Sequence, residues 1–408
     1  MHLLTLLGEY ISMAWHALKA HKLRSVLTTL GIFIGVTTII TIFTTIQGLN
    51  EYVIGQLSNI GSSTVYVEKF PWVIQGDFWK FRNRKEVTWN EYEKLVEFSK
   101  EADFIAPQVF SMKVVKYKNE KYDRVFVMGT NEQYKDTDNV NPEEGRFFTE
   151  LDIQRNHPVC VLGPELANNL FKNENPMGKR ITIGDRKYRV VGILEKKGTM
   201  FGQSWDNYAI VPIGTFRRVF GGHRGLRIAM NVKDVSRLEY LKDETKGLLR
   251  RIRKIAPQDE DDFAINQQDQ LTELYRQLTG VLYMIVFVIG SMSLVVGGIG
   301  IMNIMLVSVT ERTKEIGIRK AIGAKRKNIL SQFLIESIAI ASVGGFLGVA
   351  FGFAGGNLVL SQMDLSTGVS MQSILIGFGF STFVGIVAGF YPAWKGAKMN
   401  PIDSLHFE

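Results

Sequence analysis

The chain has 408 residues, 46% of them hydrophobic, with a mean hydropathy of +0.04 and a formal charge of +8. Those averages conceal segregation: apolar residues crowd near the N-terminus and again late in the chain, and the polar stretch between is long enough to bury its own core. Basic residues sit beside the apolar segments and elsewhere alternate with acidic ones, which excludes a nucleic-acid stripe, and the single cysteine, Cys160, excludes an intramolecular disulfide.

A membrane-crossing helix needs about 20 apolar residues, because the hydrocarbon core is about 30 Å thick and a helix rises about 1.5 Å per residue. Residues 26–46 meet that requirement without a charge. Their length, late start and lack of a small-residue cleavage site fit an uncleaved anchor rather than a signal peptide. Residues 47–279 are predicted to form a large extracytoplasmic α+β domain, a porter-like lobe with a β-rich lobe inserted at roughly 130–225. Strand patterns fall at 63–68, 113–117, 124–129, 159–162, 180–183, 188–194 and 208–212, and Cys160 reads as a buried strand residue. Thr88 is placed to cap a helix at 89–100, and a helix at 238–255 carries Leu238, Leu241, Thr245, Leu248 and Ile252 on one face. A second span follows at 280–309, then a loop at 310–328, a third span at 329–360, a short outer loop at 361–373, a fourth span at 374–394 and a tail at 395–408. The fold class is therefore four transmembrane α-helices with an α+β domain between the first and second.

Flanking charge orients the bundle. Lys19, Lys22 and Arg24 precede the first span, seven Lys and Arg residues fill 310–328, and Lys395 and Lys398 follow the fourth; residues 361–373 have none. The positive-inside rule puts both termini and the 310–328 loop in the cytoplasm and 47–279 outside. Small residues recur every fourth position: Gly344, Gly348, Gly352 and Gly356 on the third span, and Gly377, Ser381, Gly385 and Gly389 on the fourth. With Gly31 and Gly35 on the first, these ridges let helices approach closely, within one bundle or across a dimer seam. No span carries an ionisable residue at its middle, and Glu336 is expected at the cytoplasmic interface, so the bundle makes a poor hydrophilic conduit.

Catalytic chemistry is not visible. The six histidines form no zinc-binding arrangement, the acidic run 259–262 lacks the alternation of a calcium loop, and no serine sits in a nucleophile elbow. Gly178 with Lys179 is the nearest approach to a phosphate-binding loop and lacks its other residues. The chain is expected to hold no catalytic residue, metal or cofactor and not to be an enzyme. In the 310–328 loop, Thr310 or Thr313 can cap a short helix, Glu315 and Arg319 are spaced to pair, and Gly323 suits its end. Ile316, Ile318, Ala321 and Ile322 add an apolar patch, which an interfacial helix would explain as well.

The run Glu311, Arg312, Glu315, Ile316, Gly317, Arg319, Lys320, Ala321, Gly323 and Ala324 resembles the signature loop of MacB-type and FtsX-like ABC transporter permeases. Residues 20–25 with Gly31, Gly35 and Val36 are similar to that family's first span. Residues 145–148, 161–164, 175–179 and 190–193 resemble its outer domain, and 391–394 with 400–402 its tail. The resemblance implies a permease of the bacterial cytoplasmic membrane, acting as a homodimer or with a related permease. It further implies that the loop, Lys314 included, docks on an ABC ATPase subunit that binds ATP and magnesium, and that residues 1–25 form a cytoplasmic amphipathic helix on membrane lipid. Because the sequence begins almost at the permease, that ATPase is expected on a separate chain. Mechanotransmission is the implied mechanism, with efflux as its purpose and a periplasmic adaptor as a further partner; lipoprotein release and regulation of cell-wall hydrolases are the alternatives.

Overall fold

The computed structural model describes residues 22–402 apart from 59, 60, 75, 77, 173, 201, 202, 221–224, 364 and 366–370. The predicted amphipathic helix, except its last residues, lies outside this range. Two compact units emerge, residues 54–275 and residues 1–53 with 276–408.

The first of these is α+β. Its strands are β1 (Thr64–Glu68), β2 (Phe104–Tyr117), β3 (Glu120–Thr130), β4 (Pro142–Gly145), β5 (Val159–Leu162), β6 (Arg180–Ile183), β7 (Arg186–Leu194), β8 (Thr199–Met200), β9 (Gln203–Ser204), β10 (Tyr208–Pro212), β11 (Arg227–Asn231) and β12 (Ala264–Gln267). Ten of them form one sheet in the order β12-β1-β11-β2-β3-β10-β5-β7-β4, with β6 pairing β2 and β7. The 14-residue β2 joins its halves. Phe104–Gln108 pairs antiparallel with β11, and Val109–Tyr117 pairs with β3. The predicted strand at 113–117 is only the end of this element. Residues 105–109 are buried on both faces, so they show no apolar–polar alternation to read.

Two helices, Trp89–Phe98 and Leu238–Arg253, are tied by one carboxylate. Glu91 accepts the Thr88 N–H at 2.6 Å, closing the predicted cap, and also the Arg253 Nε–H at 2.7 Å. Leu238, Leu241, Thr245 and Leu248 are buried as their spacing requires, but Leu249 takes the place expected for Ile252, which is only partly buried. The core beneath gathers Val65, Leu95, Val109, Cys160, Leu166 and Leu241.

The other unit is built on four long helices, Lys22–Ser58, Gln268–Glu311, Arg326–Ser361 and Met371–Lys398, each long and apolar enough to cross a membrane. All four outrun the apolar stretches read from sequence. The polar residues 268–279, for example, hold neither proline nor glycine and simply continue the helix. Glu336 is 2% exposed, so its side chain is packed among the helices, and its carboxylate meets the Arg312 guanidinium at 3.5 Å.

Candidate functional site

The loop between the second and third long helices folds into a short helix, Thr313–Ala321. Neither predicted threonine caps it from outside. The N-cap is Arg312, and the Thr313 hydroxyl donates back to the carbonyls of Thr310 at 2.7 Å and Val309 at 3.2 Å, tying the short helix to the end of the second. At the other end the Gly323 N–H donates to Lys320 O and the Ala324 N–H to Arg319 O, both at 3.0 Å, with Gly323 at φ +103°. That is the paired-bond C-terminal stop in which glycine takes the left-handed position at least cost.

The short helix has two faces. Inward, Thr313, Ile316 and Gly317 are buried, and Ile316 joins a core with Val309, Ile329, Phe333, Ala393 and Ala397. Three cations fasten this face. Arg312 reaches Glu336, Arg319 donates to Gln332 Oε1 at 2.6 Å, and the Lys320 ammonium donates to the carbonyls of Ala397 at 2.6 Å and Met399 at 2.5 Å. The last carbonyls of a helix have no partner within it, so Lys320 closes the end of the fourth long helix from the side. Outward lie Glu311, Lys314, Glu315, Ala321 and Gly323, with Ala324 half-buried. Glu315 pairs with Arg319 at 2.5 Å, so Arg319 serves both faces. Ile318 and Ile322 are 46% and 82% exposed on this outer side. The apolar patch seen in the sequence is thus divided: Ile316 packs inward, whereas Ile318 and Ile322 face away. Residue type alone could not separate them, because all three are isoleucine; position around a 3.6-residue turn does.

The ridge glycines pack against partners within the chain. A Cβ added at Gly344, Gly348, Gly352 or Gly356 would meet Ile32, Val36, Ile40 or Thr44 of the first helix at 2.7–3.2 Å. Those partners are themselves four residues apart, so two ridges run in step, and the Thr41 hydroxyl donates to Gly352 O at 3.1 Å across the seam. Gly385 and Gly389 lie on Ala341 and Ser337 of the third helix, while Gly31 and Gly35 lie on Gly297 and Ser293 of the second.

Comparison with known proteins places this arrangement. Residues 25–248 match the MacB-like periplasmic core domain family, and residues 287–401 match the FtsX-like permease C-terminal family. The chain is 34% identical over 402 residues to the macrolide export ATP-binding/permease protein MacB of Bdellovibrio bacteriovorus, covering 98% of this chain and 62% of that protein. It is 32% identical over 404 residues to the ABC transporter permease YknZ of Bacillus subtilis, covering 98% of this chain and 99% of that one. A crystal structure of the periplasmic region of MacB from Actinobacillus actinomycetemcomitans is 20% identical, with a TM-score of 0.44 over 53% of this chain and 94% of that one. The chain is a multi-pass membrane protein with an extracytoplasmic domain, and it belongs to the MacB-like, FtsX-like family of ABC transporter permeases.

Proposed function

We propose that this permease couples ATP hydrolysis by an ABC ATPase to movement of its extracytoplasmic domain, and that the helix Thr313–Ala321 is where the ATPase docks. The single observation that carries the reading is the pair Ile318 and Ile322, exposed beside Lys314 and Glu315 on a helix whose other face is fastened to the third and fourth long helices. An apolar pair rimmed by charge suits a protein groove, and three cationic anchors carry a push on it into the bundle. With basic residues setting this loop in the cytoplasm, the ATPase and its ATP and magnesium lie on the same side. The second long helix has 44 residues, so at about 1.5 Å each it is about twice as long as the hydrocarbon core is thick and extends beyond it as a stiff lever. Efflux is the use that the name of the MacB relative supports, and the proposal extends to a second permease copy and an adaptor as partners.

The test is to co-purify the chain with its ATPase and measure stimulated hydrolysis. Ile318→Asp with Ile322→Asp is expected to cut stimulation at least tenfold while the permease stays folded. Undiminished stimulation in that double variant would remove the docking assignment. Glu315→Ala with Arg319→Ala is expected to uncouple as well, through both the outer rim and the Gln332 anchor.

A further inference from the structure

A cleft of about 550 Å³ opens in the α+β unit, walled by Trp72, Phe110, Phe126, Trp205, Tyr208 and Leu271. Phe110, Phe126 and Trp205 remain 39%, 49% and 50% exposed. The first two belong to one apolar face of the β2–β3 pair, because Phe110 lies opposite Met128 and Met112 opposite Phe126. Aromatic surface left in water at the mouth of a concave site, over a few polar groups, is the composition of a small-molecule pocket.

The polar groups of this cleft are unequally satisfied. Asp138 accepts hydrogen bonds from Gln108 Nε2 at 2.7 Å, the Thr137 hydroxyl at 2.8 Å and the Tyr66 hydroxyl at 3.1 Å. Asp206, close behind, accepts the backbone N–H groups of Lys197 at 2.7 Å and Gly198 at 3.0 Å. Arg227 pairs with Glu68, and its guanidinium lies over the rings of Phe110 and Tyr66 at 5.2 and 5.4 Å. Lys197 differs. Among the described residues its ammonium makes no ion pair, and burial lowers its pKa although Asp138 and Asp206 act in the opposite direction. Both nearby carboxylates are already committed to other donors, so a half-buried cation faces the cleft short of an acceptor.

We propose that this cleft binds a small amphipathic acid, with its aromatic or aliphatic body between Trp205 and the Phe110–Phe126 face and its acidic group on the Lys197 ammonium. A cationic ligand would add a third positive charge beside Lys197 and Arg227. A neutral ligand would leave the ammonium as it is. The site goes beyond the coupling role and needs neither ATPase nor nucleotide, so either reading can fail alone.

The experiment is equilibrium dialysis of naphthalene-2-carboxylate against the full chain in lipid nanodiscs, with empty nanodiscs subtracted and the uncharged naphthalene-2-carboxamide as its twin. The acid is expected to bind roughly tenfold more tightly than the amide, the scale of one charge-assisted hydrogen bond. Lys197→Met should erase that preference and leave amide affinity unchanged, which also shows that the variant is folded. Lys197→Arg should keep the preference, and Trp205→Ala should weaken both ligands several-fold. Equal affinity for acid and amide, a preference that survives Lys197→Met, or no binding above empty nanodiscs would each overturn the proposal.

Discussion

Asp152 shows what a single carboxylate can do in the outer unit. It is buried, which alone would raise its pKa, but hydrogen bonds from Arg146 at 2.6 Å, His157 at 3.0 Å and the Thr149 N–H at 3.1 Å prevail and hold it well below the usual carboxylate range. A depressed folded-state pKa adds stability that is complete above the unfolded value of about 3.9 and is lost as pH falls below it. Asp152→Asn should therefore be less stable than the parent near neutral pH, with the gap closing from about pH 5 towards about pH 2 in urea titrations. A gap independent of pH would contradict the assignment. The helix glycines make a second contrast at this scale. Gly352→Leu drives a side chain into Ile40 and should cost about 1–3 kcal/mol in thermal unfolding, whereas Gly379→Ala meets nothing within 4 Å and should cost nothing. The sequence showed the four-residue spacing of Gly344 to Gly356, but it could not say whether the partner was the chain's own first helix or a second copy. Only the matching row Ile32, Val36, Ile40 and Thr44 decides that.

At the scale of elements, the short helix Thr313–Ala321 depends on both of its ends. Gly323→Ala forces a side chain into the left-handed region and should cost about 1–2 kcal/mol locally, seen as faster amide exchange through 319–324. Lys320→Met removes the donor to Ala397 O and Met399 O, and should speed exchange at the end of the fourth long helix while the outer unit is unaffected. The pattern of this helix was legible: the Glu315–Arg319 pair and the glycine stop are local, set within one or two turns. The anchors to Gln332, Glu336 and Ala397 were not, since each joins residues from separate elements. The same holds for β2. Its exposed end alternates and could be read, but its doubly buried start carries no period.

Over the whole molecule, the core around Cys160 lies within the α+β unit, and a separate core around Ile32, Phe333 and Ala393 lies among the long helices. Cys160 is buried and burial raises its thiol pKa, so a thiol reagent should label it only when the outer unit opens. Gly352→Leu should then loosen the helices without speeding that labelling; faster labelling would mean that the two cores unfold together. The sequence by itself determined four membrane-length helices and an α+β domain between the first and second, because hydrophobic length, period and charge are properties of neighbouring residues. Flanking charge went further and predicted which side the loops occupy. What only the tertiary structure decided is which isoleucines of the 310–328 loop face outward, where the glycine ridges find their partners, and that Lys197 meets an aromatic cleft. Those follow from contacts between residues far apart in the chain, and no local pattern encodes them.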